Sequence, residues 1–230
     1  MKVLPLIFAV ISVLMPVITQ KTGLSEKYGF KMKMLCAFMY LITGVVSSAS
    51  LYRITSYSAL MLGALVFGLL GDFFLEYKAK KLFPLGALFF ALGHIVYAYT
   101  FLCIGAYKTL SYITDVIGIT VAVTVIITVI AKTKLKLKGK KNLLLIYLPV
   151  LVFAFSCAIV KGIVSIRQGN FSLGLCLISG ALLFFMSDIM IGIGKGGIKR
   201  PRLLHNAVSY TYFAAQSLFA LSIFFQFGGV

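Results

Sequence analysis

Two aspartates inside strongly apolar stretches are the residues best suited to chemistry. Asp72 and Asp188 each lie about five residues from one end of an apolar run, roughly 7 Å deep at 1.5 Å per helical residue. Two carboxylates that share a low-dielectric site cannot both ionise cheaply, so one is expected to hold a proton while the other stays charged. Such a pair supplies a general acid and a general base, which suits metal-free hydrolysis of an acid-labile C–O bond. For either aspartate alone, an interfacial ion pair with a loop lysine is the alternative.

Four polar side chains are expected to support these carboxylates. His94 and Tyr97 are three residues apart on one helical face, and Tyr212 and Gln216 are four apart on another. Tyr212 is expected near the level of the aspartates and Gln216 near that of His94, where they can hydrogen-bond the carboxylates and a polar substrate. Helix–helix hydrogen bonding for His94 and interfacial placement for the tyrosines are the competing interpretations.

The remaining acids have weaker claims to a catalytic role. Glu76 is one turn beyond Asp72 on the same face but stands beside a cluster of loop lysines, so it is predicted either in the site or in an interfacial ion pair. Asp115 is interpreted as a structural acid near a helix N-terminus. A zinc site would need His94, His205 and both aspartates as ligands, and His205 is expected at the mouth of the eighth helix. We therefore expect neither a metal nor a cofactor.

A glycine-rich segment follows Asp188 and carries Lys195, Lys199 and Arg200. Exposed backbone N–H groups together with cations suit a phosphate, here the phosphate of a lipid headgroup. A flexible basic loop on the cytoplasmic side is the alternative reading of this segment.

Composition decides which elements must position these residues. The chain has 230 residues, of which 61% are hydrophobic and 12% charged, with 22 Lys and Arg against 5 Asp and Glu. A soluble domain is about a quarter charged, so this composition indicates an integral membrane protein. The basic excess does not indicate nucleic-acid binding, because no segment is long enough to form a soluble DNA-binding domain.

The polar clusters divide the chain into eight apolar stretches of about the 20 residues that a spanning helix needs. The sequence therefore predicts an all-α membrane protein, with residues 1–230 forming a single polytopic domain. The predicted spans are 3–19, 32–51, 57–77, 82–104, 111–131, 143–161, 171–193 and 206–227.

The distribution of Lys and Arg predicts the orientation. The loops after the first, third, fifth and seventh spans hold 17 of the 22 basic residues. Positive charge marks the cytoplasmic side, so both termini are expected outside and the aspartates near the cytoplasmic face, most simply in the plasma membrane.

The two halves of the chain also echo each other. Asp72 and Asp188 occupy corresponding positions, and each is followed by a basic loop and a helix with a Tyr-x-Tyr, at Tyr97 and Tyr210. The echo is what a parallel four-plus-four repeat would give, and chance similarity between apolar segments is the alternative.

Four motifs in order resemble the YhhN/TMEM86 family of lysoplasmalogenases over most of the chain, from the third helix to the eighth. They are Gly71-Asp72-x-x-Leu75, Gly93-His94-x-x-Tyr97, Ser187-Asp188 and Tyr212-x-x-x-Gln216. The sequence departs from the family after Asp188, where Ile191 replaces the leucine usual three residues later.

The resemblance implies an eight-helix enzyme that cleaves the vinyl ether of lysoplasmalogens, releasing a fatty aldehyde and a glycerophospho-ethanolamine or -choline. Its expected partners are a lysophospholipid substrate and membrane lipids. The competing classes are a proton-coupled transporter, since buried Asp and His also build proton relays, and a non-catalytic lipid-binding membrane protein.

Overall fold

The protein is an all-helical membrane protein with eight spans, as the sequence predicts. The computed structural model describes residues 3–51, 53–76, 82–104, 110–134, 141–195 and 202–227. Within these ranges there are nine helices and no strand, and eight of the helices are long and apolar enough to cross a membrane. In chain order the helices are α1 (Leu4–Lys21), α2 (Leu24–Tyr28), α3 (Phe30–Ala49), α4 (Ser56–Glu76), α5 (Phe83–Cys103), α6 (Leu110–Lys134), α7 (Lys141–Arg167), α8 (Phe171–Lys195) and α9 (Arg202–Phe225).

Proline and glycine set several helix ends. Pro5 and Pro84 stand in the first turns of α1 and α5, where the missing backbone N–H leaves no bond unmade. Gly23 precedes α2 with φ of +73°, a left-handed conformation that glycine adopts without strain. The sequence did not predict α2, because a five-residue helix is too short to show an apolar period.

Helix α7 is longer than predicted. The predicted span ends at 161, where Lys161 indicates a polar boundary, but α7 continues to Arg167. Lys161 is only 4% exposed, and its Nζ donates a 2.7 Å hydrogen bond to the carbonyl oxygen of Ile104. Ile104 directly follows α5, and a cation beside the last carbonyls of a helix is favourable. The lysine is therefore held inside the bundle by the end of a neighbouring helix.

Helix α9 is the central element of the bundle. It packs against α1, α3, α4 and α8, while α5 packs against α4 and α7. More than half of the spanning residues of α7 and α9 are buried, whereas α6 packs on α7 and leaves most of its surface exposed. The main cluster of buried apolar residues draws on every helix from α3 to α9. Side chains from α4, α5, α8 and α9 can therefore meet inside the bundle.

Two glycines bring α7 and α8 into close contact. A Cβ on Gly174 would lie 2.6 Å from the carbonyl oxygen of Gly162, an approach that only glycine permits. Since the two helices run antiparallel from this point, Tyr147 near the start of α7 comes to lie opposite Asp188 near the end of α8. The internal repeat, the side of the membrane on which the termini lie and the single-domain organisation remain predictions.

Candidate active site

Asp72 is a buried carboxylate held between three helices. Its side chain on α4 is almost fully enclosed, and the Tyr212 hydroxyl on α9 donates a 2.7 Å hydrogen bond to its Oδ2. Lys33 in the first turn of α3 brings its Nζ to 3.5 Å from Oδ1. A nearby opposite charge favours the ionised form of a carboxyl group. Burial disfavours the Asp72 anion and the Lys33 ammonium favours it, so the two effects oppose each other.

A hydrogen-bonded chain extends from Asp72 to α5. The Gln216 Nε2 donates to the Tyr212 hydroxyl at 3.2 Å, and the Tyr97 hydroxyl donates to the Gln216 Oε1 at 2.7 Å. All three side chains are buried. A complete buried network fixes the orientation of its members, since each lost bond would leave a polar group unsatisfied. Sequence reasoning assigned these three residues to the site, and the structure connects them to one aspartate, Asp72.

Glu76 lies at the exposed edge of this cluster. Its Oε2 accepts a 3.5 Å bond from the Lys33 Nζ, and its side chain is 41% exposed. Lys33 thus stands between Glu76 and Asp72, with its own side chain 27% exposed. Of the two roles predicted for Glu76, this geometry supplies the ion pair, although with a lysine of α3. The lysines of the following loop, at 78, 80 and 81, lie outside the described residues.

Asp188 has a separate set of partners. The Tyr147 hydroxyl on α7 donates a 2.7 Å bond to its Oδ2, and the His94 Nε2 on α5 lies 2.9 Å from that hydroxyl. The Tyr147 proton points to Asp188, so the bond to His94 assigns the N–H of the imidazole to Nε2. The His94 Nε2 is also 3.6 Å from Oδ2 of Asp188. His94, Tyr147 and Asp188 therefore form a chain along which a proton can move.

Aromatic rings fill the space between the two networks. The Phe184 ring lies 4.8 Å from the His94 ring and 5.5 Å from the Tyr212 ring, centroid to centroid. The Phe90 ring lies 5.9 Å from that of Tyr212. The expectation that His94, Tyr97, Tyr212 and Gln216 all gather around both carboxylates is thus refined, because His94 serves Asp188 and the other three serve Asp72.

A cavity between α5, α7, α8 and α9 touches both networks. His94 and Tyr97 supply its polar edge, and all its other walls are apolar. The apolar lining residues are Phe101, Leu151, Ala154, Phe155, Ala181, Phe184, Phe185 and Phe219.

Two residues of the site were missed from the sequence. Lys33 reads as one of several basic residues on the cytoplasmic side, and only the packing of α3 against α4 brings it to Asp72. Tyr147 is a single polar residue in an otherwise apolar run, and no spacing pattern links it to His94 or Asp188. In each case the sequence shows only a polar side chain at the predicted depth of an aspartate. It does not show which helices are neighbours.

The predicted phosphate ligands have no described geometry. Lys199 and Arg200 lie outside the described residues, and Lys195 is the last residue of α8, with its side chain among those not described. His205 likewise has no described side chain. Among the parts of the chain that are described, no three His, Cys, Asp or Glu residues are grouped in a way that could hold a metal ion.

Comparison with known families gives one match. The model of the YhhN family matches residues 26–223. The match runs from α2 to α9 and includes every residue of the two networks. No solved structure matches the chain.

Proposed function

The chain belongs to the YhhN family, and we propose that it is a lysoplasmalogenase-like hydrolase that cleaves the vinyl ether bond of 1-alkenyl lysophospholipids. The products are a fatty aldehyde and glycerophosphoethanolamine or glycerophosphocholine. One observation carries the proposal: two carboxylates in different surroundings, one beside a cation and one in a His-Tyr-Asp chain, are each connected by hydrogen bonds to a polar side chain that lines one apolar cavity.

The different surroundings assign different roles to the two acids. Asp72 has the Lys33 ammonium 3.5 Å away and acts as the anion. We assign the role of general acid to Asp188, which accepts a hydrogen bond from Tyr147 and is linked through it to His94. Because Tyr147 occupies Oδ2 of Asp188, we assign the transferable proton to Oδ1.

The reaction begins with proton transfer to carbon. Asp188 protonates the alkenyl carbon remote from the ether oxygen, which leaves an oxocarbenium ion. The Asp72 carboxylate stabilises this cation and accepts a proton from the water that adds to it. The hemiacetal then collapses to the aldehyde: the bond from its carbon to the glycerol oxygen breaks, and its hydroxyl proton passes through solvent to that oxygen. Asp72 returns the proton it took from water to Asp188 through solvent. Glycosidases use paired carboxylates in a comparable way.

We place the substrate from two features of the bundle: the partly exposed charged residues near Asp72 and the apolar cavity beside His94. Lys33 and Glu76 are partly exposed at the end of the bundle next to Asp72, so water reaches this carboxylate first. We place the vinyl ether beside His94 and Phe184, at a cavity too small for a whole alkenyl chain, and the chain itself between helices in the bilayer. The headgroup then lies toward the basic loops, where Lys195, Lys199 and Arg200 remain the proposed phosphate ligands.

The test is aldehyde release from a defined substrate. Purified protein in detergent micelles is supplied with 1-alkenyl-2-hydroxy-glycerophosphoethanolamine, and aldehyde and glycerophosphoethanolamine are measured together. Equal amounts of the two products are expected. Absence of aldehyde would contradict the proposal. Substrate-dependent acidification of sealed liposomes without aldehyde would instead indicate a transporter, and lipid binding without either signal a lipid-binding protein.

Replacing Tyr147 with Phe is expected to lower aldehyde release by roughly tenfold to a hundredfold. The change removes the hydroxyl that bonds both Asp188 and His94, and each of these two hydrogen bonds contributes about 0.5 to 1.5 kcal/mol. Tyr99→Phe is the control, since Tyr99 lies on α5 with 55% of its surface exposed. Equal activity of the Tyr147 and Tyr99 variants would show that the His-Tyr-Asp chain has no part in catalysis.

A further inference from the structure

Tyr40 on α3 carries a buried hydroxyl that the networks above do not use. Its side chain is fully buried, and within the described residues its hydroxyl has no hydrogen-bond partner. The ring packs edge to face on Tyr212, with centroids 6.4 Å apart, and against Phe213. Buried hydroxyls are nearly always hydrogen-bonded, and phenylalanine would fill the same apolar contacts without a polar group. A tyrosine at this position, where phenylalanine would pack equally well, therefore indicates a role for the hydroxyl.

Gly68 on α4 shows where this hydroxyl is directed. A Cβ at this position would lie 2.6 Å from the Gln216 Nε2, 3.3 Å from the Tyr40 hydroxyl and 3.5 Å from the Tyr212 hydroxyl. Three polar groups from α3 and α9 thus converge on Gly68, a position of α4 without a side chain. Gly68 is one turn before Asp72, so this convergence lies on the carboxylate's own helix.

The hydrogen-bonding capacity of these groups is unequal. The Tyr212 hydroxyl already donates to Asp72 and accepts from Gln216. The Tyr40 hydroxyl can both donate one bond and accept bonds, and Asp72 and Tyr212 are among its polar neighbours. A group that bonds both Tyr40 and Asp72 must be small, since these two side chains and that of Tyr212 are more than nine-tenths buried. Water meets these requirements.

We propose that Tyr40 is a positioning residue that, together with Asp72, holds the water molecule that adds to the oxocarbenium ion. This inference rests on the proposed function. Tyr40 forms one hydrogen bond with the water, and the Asp72 carboxylate accepts a second hydrogen bond from the water. When the water oxygen bonds to the cationic carbon, one of its protons passes to the Asp72 carboxylate and the positive charge on the ether oxygen is discharged.

Deuterium exchange into the unreacted substrate distinguishes a failure to hold this water from a loss of folded protein. Protonation of the alkenyl carbon is reversible until water adds. In D₂O, Asp188 delivers a deuteron to that carbon, and if addition is slow a proton from the same carbon returns to Asp188 and restores the double bond. The unreacted substrate then carries deuterium at its alkenyl carbon. The ratio of deuterated substrate to released aldehyde measures how often the cation reverts.

The experiment compares Tyr40→Phe with the wild-type protein in D₂O, with substrate and aldehyde analysed by mass spectrometry. Aldehyde release is expected to fall about tenfold, as for the loss of one hydrogen bond to the nucleophile, and the ratio to rise by about the same factor. Tyr57→Phe is the matched control, because Tyr57 is also buried and its hydroxyl bonds Ser222 at 2.8 Å on the other side of the bundle. Its ratio is expected to equal that of the wild type.

Gly68→Ala gives a second route to the same test if Tyr40→Phe does not fold. The added methyl group displaces the Gln216 amide and crowds the Tyr40 hydroxyl, so the same rise in ratio is expected. Gly63→Ala on the same helix is its control, since a Cβ there meets nothing within 4 Å. Wild-type release of aldehyde with an unchanged ratio in the folded variants would overturn the inference alone. No aldehyde from the wild-type protein would overturn the proposed function and this inference with it.

Discussion

Asp72→Asn and Asp188→Asn are each expected to lower aldehyde release by about a thousandfold, because an amide can neither donate a carboxylic proton nor accept one from water. General acid–base groups contribute roughly 10² to 10⁴ in rate. Asparagine has the shape of aspartate and can still accept the Tyr212 or Tyr147 bond, so the helices should pack as before. Aldehyde release under saturating substrate, with the thermal unfolding temperature measured in parallel, checks both variants.

Asp115→Asn is the matched control for these two variants. Asp115 lies on α6 and is exposed, so loss of its charge should leave aldehyde release within about twofold of the wild type. Full activity in a folded Asp72 or Asp188 variant would rule out the mechanism with two carboxylates. Loss of activity in the Asp115 variant as well would point to a general effect of removing acids from so basic a chain.

Lys33→Met is expected to lower aldehyde release by roughly tenfold to a hundredfold. The change leaves the Asp72 carboxylate buried without its cation, 3.5 Å away in the native protein, and an unpaired buried charge is strongly disfavoured. The Lys33 side chain is 27% exposed, so solvent offsets part of this loss. Lys33→Arg keeps the positive charge and should recover most of the activity. The measurement is the rate at saturating substrate.

Lys31→Met separates this effect from a change in net charge. Lys31 lies on α3 only two residues before Lys33, but its side chain is exposed. Its variant loses the same charge near the same membrane surface and should behave as the wild type. If the Lys31 and Lys33 variants were equally impaired, the ion pair with Asp72 would have no special role.

The eight spans could be predicted from the sequence because hydrocarbon thickness fixes the length of an apolar helix. The prediction erred where a polar residue did not mark a membrane boundary. Lys161 lies inside α7 because the carbonyl oxygen of Ile104, at the end of α5, is there to accept its bond. The burial of Lys161 depends on a contact between two helices. The hydropathy of residues along one helix does not reveal such a contact.

The same distinction explains what could be anticipated of the site. The depth of each residue follows from the rise per residue, and depth alone placed Tyr212 at the level of Asp72, where the two are now hydrogen-bonded. Lateral placement depends on which helices are neighbours. Lys33 and Tyr147 complete the surroundings of the two acids only because α3 packs on α4 and α7 packs on α8. No spacing in the sequence encodes those pairings.

The proposed mechanism requires that the protein protonates the alkenyl carbon and that the bond then broken joins the vinyl carbon to oxygen. The most direct test is the wild-type reaction in D₂O enriched in ¹⁸O, with the aldehyde reduced at once to the alcohol. The mechanism predicts one deuterium on the carbon next to the former carbonyl carbon and no ¹⁸O in the glycerophospho product. Absence of aldehyde, aldehyde without that deuterium, or ¹⁸O in the glycerophospho product would contradict it.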